Sequence, residues 1–172
     1  MALVPVVRFI EGTNHLGGQR PHFVLIDFLA DEGFPGLVIC TKDLESFLEF
    51  KEENKVRASA GTLNARLLRA CAEKGLGGID ELSGVPGNLG GAVAMNAGTA
   101  KGWIEDVLIE VEAVSLSGDE RTVAKPDLRF AYREQLFLEP HELIWAATLQ
   151  LRKEDPETIR QRLAESVRKR KT

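Results

Sequence analysis

The segment from residue 83 to residue 98, SGVPGNLGGAVAMNAG, holds five glycines, three alanines and no charged side chain. Successive backbone N–H groups without side chains around them can bind an anionic or carbonyl-rich ligand at close range. A second interpretation is a tight turn against a helix, where touching backbones require small residues. The residues concerned would be Gly90, Gly91, Ala92 and Ala94. Composition leaves both interpretations of this glycine-rich segment open.

Tyr132 and Arg133, in RFAYREQLF, are the second group that could do chemistry. An arginine is permanently charged and can donate two parallel hydrogen bonds to a carboxylate, so it can stabilise negative charge on a substrate. Taken alone, the same two residues also fit an exposed strand end with an ion pair between Arg133 and Glu134.

The sequence lacks the residues or the spacing that several other kinds of site require. No Lys-Ser/Thr follows the glycines and no G-x-G-x-x-G joins a strand to a helix, which argues against a P-loop or dinucleotide-binding motif. No serine lies in a G-x-S-x-G elbow. The histidines have no ligand spacing, and we expect no metal site. They are His15, His22 and His141.

Composition also limits the partners and the compartment. The net charge of -4 argues against nucleic acid, because binding to phosphates depends on an excess of Lys and Arg. No apolar run approaches the ~18 residues of a membrane helix, and no signal peptide is recognisable. Cys40 and Cys71 fit buried reduced thiols. We therefore expect a cytoplasmic protein without a nucleic-acid or membrane partner.

The hydrophobic periodicity predicts an α+β fold in which sheets dominate. Strands are expected at residues 4–10, 36–40, 45–50, 55–60, 107–115, 120–124 and 142–153. Val107, Ile109 and Val111 should share one face of their strand, and Leu108 the other. A helix at residues 62–75 should begin at Thr62 and end at Gly75, with Leu63, Leu67, Leu68 and Cys71 on its buried face. A last helix should begin with Asp155 as its cap.

The order of the motifs carries more information than any one of them. GIDELSGVPGNLGGAVAMNAG, then SLSGDERTV and RFAYREQLF, resembles the FAD domain of the UDP-N-acetylenolpyruvoylglucosamine reductase family, the MurB type. That family has G-L-x-G-L-E-x-L-x-G-I-P-G-x-x-G-G-A-x-x-M-N-A-G and later F-x-Y-R-x-S-x-F. The resemblance implies an FAD-binding fold of the MurB and vanillyl-alcohol-oxidase (PCMH) kind, with an incomplete first subdomain and no substrate domain.

The resemblance also implies roles for residues. Arg133 and Tyr132 would be catalytic, with Arg133 supporting negative charge beside the flavin and the substrate carboxylate. Noncovalently bound FAD would take hydride from NADPH and reduce the enolpyruvyl ether of a nucleotide sugar, giving UDP-N-acetylmuramate for peptidoglycan. The cofactor would be lined by Gly12, Thr13, Asn14, Ser83, Gly84, Pro86, Gly87, Asn88, Gly90, Gly91, Ala92, Asn96, Ala97 and Gly98.

Some features depart from the family pattern. Glu11 replaces a glycine beside the GTN residues, about a dozen residues are inserted after them, and Gln135 replaces a serine. The family's proton-donating serine and late glutamate have no counterpart. We expect a remnant of the first FAD subdomain at residues 1–40, the second subdomain at 41–155, and at 156–172 a helix that leads to the absent substrate domain. A non-catalytic flavin-binding or partner-binding module is the alternative function, with a partner chain covering the missing regions.

Overall fold

In a computed structural model of the protein, residues 46–99, 102–115 and 117–169 are described. They form eleven strands and three α-helices. The strands are β1 (Leu48–Phe50), β2 (Lys55–Ser59), β3 (Leu76–Gly77), β4 (Gly98–Thr99), β5 (Gly102–Trp103), β6 (Leu108–Ser115), β7 (Glu120–Ala124), β8 (Phe130–Ala131), β9 (Glu134–Gln135), β10 (Glu142–Gln150) and β11 (Arg152–Lys153). The helices are α1 (Asn64–Glu73), α2 (Leu89–Ala94) and α3 (Pro156–Lys169). The strands predicted at residues 4–10 and 36–40 lie outside the described residues.

One antiparallel sheet organises the described chain, with strands in the order β1-β2-β10-β6-β7. At its centre Ala147 of β10 pairs with Ala58 on one side and Val111 on the other. Buried side chains of these strands form a single core with α1 and α2. The α-helices and the sheet together confirm the predicted α+β class.

The predicted strand pairs are present, with two corrections. β6 and β7 pair around a turn in which Gly118 has a φ of 90°, as the sequence predicts. Leu108, however, is fully buried with Val111, because a register shift between Leu108 and Glu110 inserts Ile109 as an extra residue. The predicted strand at residues 142–153 is divided: β10 stays in the main sheet, whereas β11 pairs with β3.

Helix α1 buries the predicted face but does not begin as predicted. Leu67, Leu68 and Cys71 are buried, whereas Leu63 precedes the helix and is 54% exposed. The Thr62 hydroxyl does not cap the helix; it donates to the carbonyl of Phe47. The prediction that Thr62 caps the helix is therefore wrong, because a partner distant in sequence uses the hydroxyl.

The C-terminal end of α1 and the N-terminal end of α3 have the residues that the sequence predicts there. Gly75 has a φ of 66° and its N–H donates to the carbonyl of Ala72, as expected of a glycine at a helix end. At the start of α3, the Asp155 carboxylate accepts a hydrogen bond from the N–H of Thr158 at 2.8 Å, which confirms the predicted cap. In the described part of the chain, no helix has both the length and the apolar character needed to cross a bilayer.

Candidate functional site

The glycine-rich segment is a turn followed by one short helix. After a 3₁₀ turn at Asp80–Leu82, the chain passes through Gly84 and Gly87, which have φ values of 74° and 102°. These values favour glycine, because a Cβ would clash with the backbone. Helix α2 follows, and the segment ends on strand β4.

Two of its glycines lie against other parts of the chain. A Cβ added to Gly90 would lie 2.8 Å from the Cβ of Ala60, and the Gly90 N–H donates to the Ala60 carbonyl at 2.9 Å. A Cβ added to Gly98 would lie 2.7 Å from the Cα of Trp103 on the neighbouring strand. The packing interpretation therefore explains Gly90 and Gly98.

Two other glycines have no close neighbour across the fold among the described residues. Apart from the adjacent residues and, for Gly91, the backbone of its own helix, no described atom comes within 4 Å of a Cβ built on Gly87 or Gly91. Gly91 is exposed and belongs to α2, where helix propensity disfavours glycine. We call Gly87 and Gly91 the open face of the segment. The described residues thus leave room for a ligand here, as the cradle interpretation requires.

The first half of the segment is attached to α3. The buried Ser83 hydroxyl donates to the carbonyl of Leu163 at 3.0 Å. The residue before Leu163, Arg162, pairs with both Asp80 and Glu154. Arg162 lowers the pKa of Glu154, mainly by hydrogen bonding, so this carboxyl stays ionised. Since its hydroxyl serves α3, the cofactor contact predicted for Ser83 would be made by its backbone.

The remaining predicted residues of the segment differ in exposure. Ala92 and Ala97 are buried, whereas Pro86 and Gly84 are exposed. Asn88 precedes α2 without capping it by a side-chain hydrogen bond. Its backbone pairs with Leu63 in an isolated bridge.

Asn96 combines two unusual features. Its φ is 42°, and its buried Oδ1 has no hydrogen-bond partner among the described residues. An unpaired buried oxygen is costly and is the kind of atom that a bound group can satisfy. Together with the open face, Asn96 makes the described residues compatible with a ligand that offers a hydrogen-bond donor.

Arg133 lies in the turn between β8 and β9, with a φ of 61°. Its guanidinium carbon is 5.6 Å from the ring centre of Trp103 and 5.7 Å from that of Tyr132. Among the described residues, Arg133 has no ion pair, so the alternative pairing with Glu134 is not observed. Tyr132 is 79% exposed.

Trp103 brings the two candidate groups together. Its ring lies against Gly98, at the end of the glycine-rich segment, and its face is turned to Arg133. Strand β9 also packs against α2. Arg133 and the glycine-rich segment, 35 or more residues apart in sequence, therefore form one region of the surface.

Two residues in this region were missed by the sequence analysis. Trp103 could have been noticed as an aromatic residue five positions after the end of the glycine-rich segment. Asn64 is 1% exposed, and neither its Oδ1 nor its Nδ2 has a partner in the part of the chain that the structure describes. Its backbone N–H donates to the Gly87 carbonyl. The sequence feature that could have identified Asn64 is a polar residue on the predicted buried face of a helix.

Gln135, which replaces a family serine, has a structural role here. Its Oε1 accepts hydrogen bonds from the N–H groups of Phe137 and Leu138, at 3.0 and 2.8 Å. The side chain thereby stabilises the chain beyond the Arg133 turn.

Other parts of the described chain offer less chemistry. Burial raises the pKa of Cys71 to about 12, which keeps the thiol protonated and unreactive. A cleft of about 600 Å³ lies between α1, the turn at Ser83–Pro86 and α3. Its lining is mostly apolar and contains neither the open face nor Arg133. The predicted cofactor residues Gly12, Thr13 and Asn14 lie outside the described residues.

Comparison with known proteins gives this surface a context. A family model described as "FAD binding domain" matches residues 6–124, more than half of the chain. A UDP-N-acetylenolpyruvoylglucosamine reductase of Lactobacillus delbrueckii is 38% identical over 76% of this chain and 43% of the relative. The same enzyme of Phenylobacterium zucineum is 33% identical over 98% of this chain and 53% of the relative. The chain thus spans about half the length of these curated relatives.

Two solved structures resemble the fold. The UDP-N-acetylenolpyruvylglucosamine reductase (MurB) of Thermus caldophilus matches with a TM-score of 0.60 and 38% identity, over 65% of this chain and 41% of the other. A solvent-stable cholesterol oxidase matches with a TM-score of 0.53 and 25% identity, over 67% of this chain and 25% of the other. These matches confirm the predicted fold class. The chain belongs to the FAD binding domain family, in the form found in UDP-N-acetylenolpyruvoylglucosamine reductases.

Proposed function

We propose that this chain supplies the FAD-binding part of an NADPH-driven reductase that converts UDP-N-acetylglucosamine enolpyruvate to UDP-N-acetylmuramate, in peptidoglycan precursor synthesis. The observation that carries the proposal is the position of Arg133 beside the glycine-rich segment, joined to it through Trp103. A nucleotide-sugar substrate, a cytoplasmic location and a partner chain over the remaining regions stay predictions of the same proposal.

FAD, when bound, would supply hydride transfer between NADPH and the enolpyruvyl group. The open face would let the backbone of the segment approach the cofactor closely, since neither Gly87 nor Gly91 has a Cβ. The Oδ1 of Asn96, which has no partner among the described residues, would accept a hydrogen bond from the cofactor.

Arg133 would act on the substrate side. Its guanidinium can bind a carboxylate through two parallel hydrogen bonds and stabilise the negative charge that develops during reduction. The cation has no carboxylate partner among the described residues, so its charge is available to a ligand. A turn conformation and two aromatic rings hold it in place.

Visible absorption of the purified chain tests the proposal. After incubation with FAD and desalting, we expect retained flavin absorbance that NADPH then bleaches. A colourless protein would overturn the proposal. Retained flavin that NADPH does not bleach would contradict the reductase and support the alternative, a non-catalytic flavin-binding module.

A matched pair of variants locates the cofactor. Gly91→Leu places a side chain into the open face while keeping a good helix former, and we expect at least about a tenfold loss of FAD affinity. Ala164→Leu adds similar bulk at an exposed position of α3 and should leave FAD affinity unchanged. Equal affinities in the two variants would contradict a cofactor at the open face.

A further inference from the structure

Arg133 is held differently from three arginines of the described chain that form ion pairs. Arg57 pairs with Glu112 and Glu49, Arg121 with Glu142, and Arg162 with Asp80 and Glu154. Their N–H donors are used by these carboxylates. Arg133 instead lies over aromatic rings, and none of its donors has a partner among the described residues.

The difference has a chemical consequence. A carboxylate partner fixes a guanidinium by occupying its N–H groups and neutralising its charge. A ring face attracts the cation through the π-electrons and leaves the N–H groups, which lie in the plane of the guanidinium, unoccupied. A residue that must bind an incoming anion is therefore better positioned by rings than by a carboxylate.

Of the two rings, Trp103 is the one with a fixed position. Its backbone N–H donates to Asp106 at 2.8 Å, its Cα pairs with Gly98 across the β4–β5 hairpin, and its ring lies against Gly98. Tyr132 is largely exposed and meets Trp103 edge to face at 5.9 Å. Trp103 therefore determines where the Arg133 guanidinium lies relative to the glycine-rich segment.

We propose that Trp103 is a positioning residue: its ring face holds the Arg133 guanidinium so that the N–H donors stay free for the carboxylate of a ligand. The identity of that ligand, a lactyl or enolpyruvyl carboxylate, rests on the proposed function. The contact between the Trp103 ring and the Arg133 guanidinium does not depend on the proposed function.

NMR of the side-chain Nε–Hε groups of arginine tests this directly in the whole chain, with the Arg133 signal assigned from its loss in Arg133→Lys. The Trp103 ring should shift this signal from the position of an exposed arginine. Trp103→Leu should abolish the shift, Trp103→Phe should retain part of it, and Trp145→Leu, the same change at the second tryptophan, should leave it unchanged.

Lactate is the probe for binding, with neutral lactamide as its control. Lactate should move the Arg133 signal of the wild type, and lactamide should not. We expect lactate affinity to fall about two- to fivefold in Trp103→Leu and less in Trp103→Phe, the range that a partly exposed cation–π contact implies. Trp145→Leu should bind lactate as the wild type does.

Three results would overturn the proposal. They are an Arg133 signal that Trp103→Leu does not move, a lactate affinity that Trp103→Leu does not change, and a wild type that does not respond to lactate. If Trp103→Leu fails to fold, Trp103→Phe decides by the same two measurements. The absorption experiment tests the proposed function separately. A colourless protein that shows the Arg133 shift would refute FAD binding but not the contact between Trp103 and Arg133. A flavoprotein without the shift would refute only the positioning role of Trp103.

Discussion

Gly90 and Gly91 are neighbours in α2, yet their environments have little in common. Gly90 is pressed against Ala60, whereas Gly91 has no neighbour within 4 Å of its missing Cβ among the described residues. Gly98 resembles Gly90, and Gly87 resembles Gly91. The comparison teaches that a glycine-rich segment can serve two purposes at once: one face allows close packing, and the other leaves the backbone open to a ligand.

The first half of the segment, which is attached to α3, differs from both the packed glycines and the open face. The turn at Asp80–Leu82 and Ser83 are held by hydrogen bonds and by the ion pairs of Arg162, not by the approach of small residues. We therefore expect this half of the segment to respond to pH. At Gly90 and Gly98, by contrast, stability should depend on the volume of the side chain that is introduced.

Gly98→Ala should cause the largest effect. The new Cβ would meet the Trp103 Cα at 2.7 Å and the carbonyl oxygen of Gly102, and backbone atoms cannot move aside as a side-chain end can. We expect a loss of about 3 kcal/mol in the free energy of unfolding, at the upper end for an overpacked site. Urea unfolding followed by circular dichroism measures it. A loss below about 1 kcal/mol would show that the β4–β5 hairpin is not tightly packed.

Gly90→Ala should have a smaller effect and can be rescued. Its Cβ would meet the Ala60 Cβ at 2.8 Å, while the gain in helix propensity offsets part of the strain. We expect a net loss of about 1–2 kcal/mol in the free energy of unfolding. The double variant Ala60→Gly/Gly90→Ala removes the clash, so a double-mutant cycle should show favourable coupling. Additive losses would contradict direct contact as the cause.

Glu154→Gln tests the attachment to α3 through pH. The folded-state pKa of Glu154 lies below its ordinary value of 4.5, so its ionised form stabilises the fold above that pH, and the contribution is lost as pH falls through the lowered pKa. We expect the wild type to exceed the variant by no more than about 1 kcal/mol at neutral pH, since Arg162 is partly exposed.

The control for this experiment lies in the first turn of α3, the helix that carries Arg162. Glu157→Gln removes an exposed pair with Arg160 and should change the unfolding free energy little at any pH. The difference between wild type and Glu154→Gln should shrink below pH 4.5, the ordinary value of its pKa. A difference that stays constant down to strongly acidic pH would mean that the Glu154 charge does not stabilise the fold.

Local patterns predicted much of this fold. Alternating residues indicated the β6–β7 pair, Gly75 and Asp155 indicated helix ends, and the order of motifs indicated the family. These features depend on residues close together in the chain, which is why a sequence reveals them. The bulge at Ile109 was missed because it depends on the pairing with β10.

The site depends more on distant partners, and the sequence predicted it less well. The Ser83 hydroxyl bonds to Leu163, 80 residues away, and nothing near Ser83 in the sequence indicates that helix. Trp103 was missed for a similar reason, since its contact with Arg133 requires two hairpins to meet. Composition alone could not separate Gly90 from Gly91, because only the position of Ala60 distinguishes them.

Gly91→Ala should have the smallest effect on stability, and it is therefore the most direct test of the difference between Gly90 and Gly91. No described atom obstructs the new Cβ, and alanine favours a helix over glycine by about 0.5–1 kcal/mol, so the free energy of unfolding should stay level or rise slightly. Urea unfolding beside Gly90→Ala, one residue away, supplies the contrast. If Gly91→Ala were as destabilised as Gly90→Ala, both glycines would serve packing and the open face would not exist. If it is stable but binds FAD more weakly, the absence of a Cβ at residue 91 serves the ligand and not the fold.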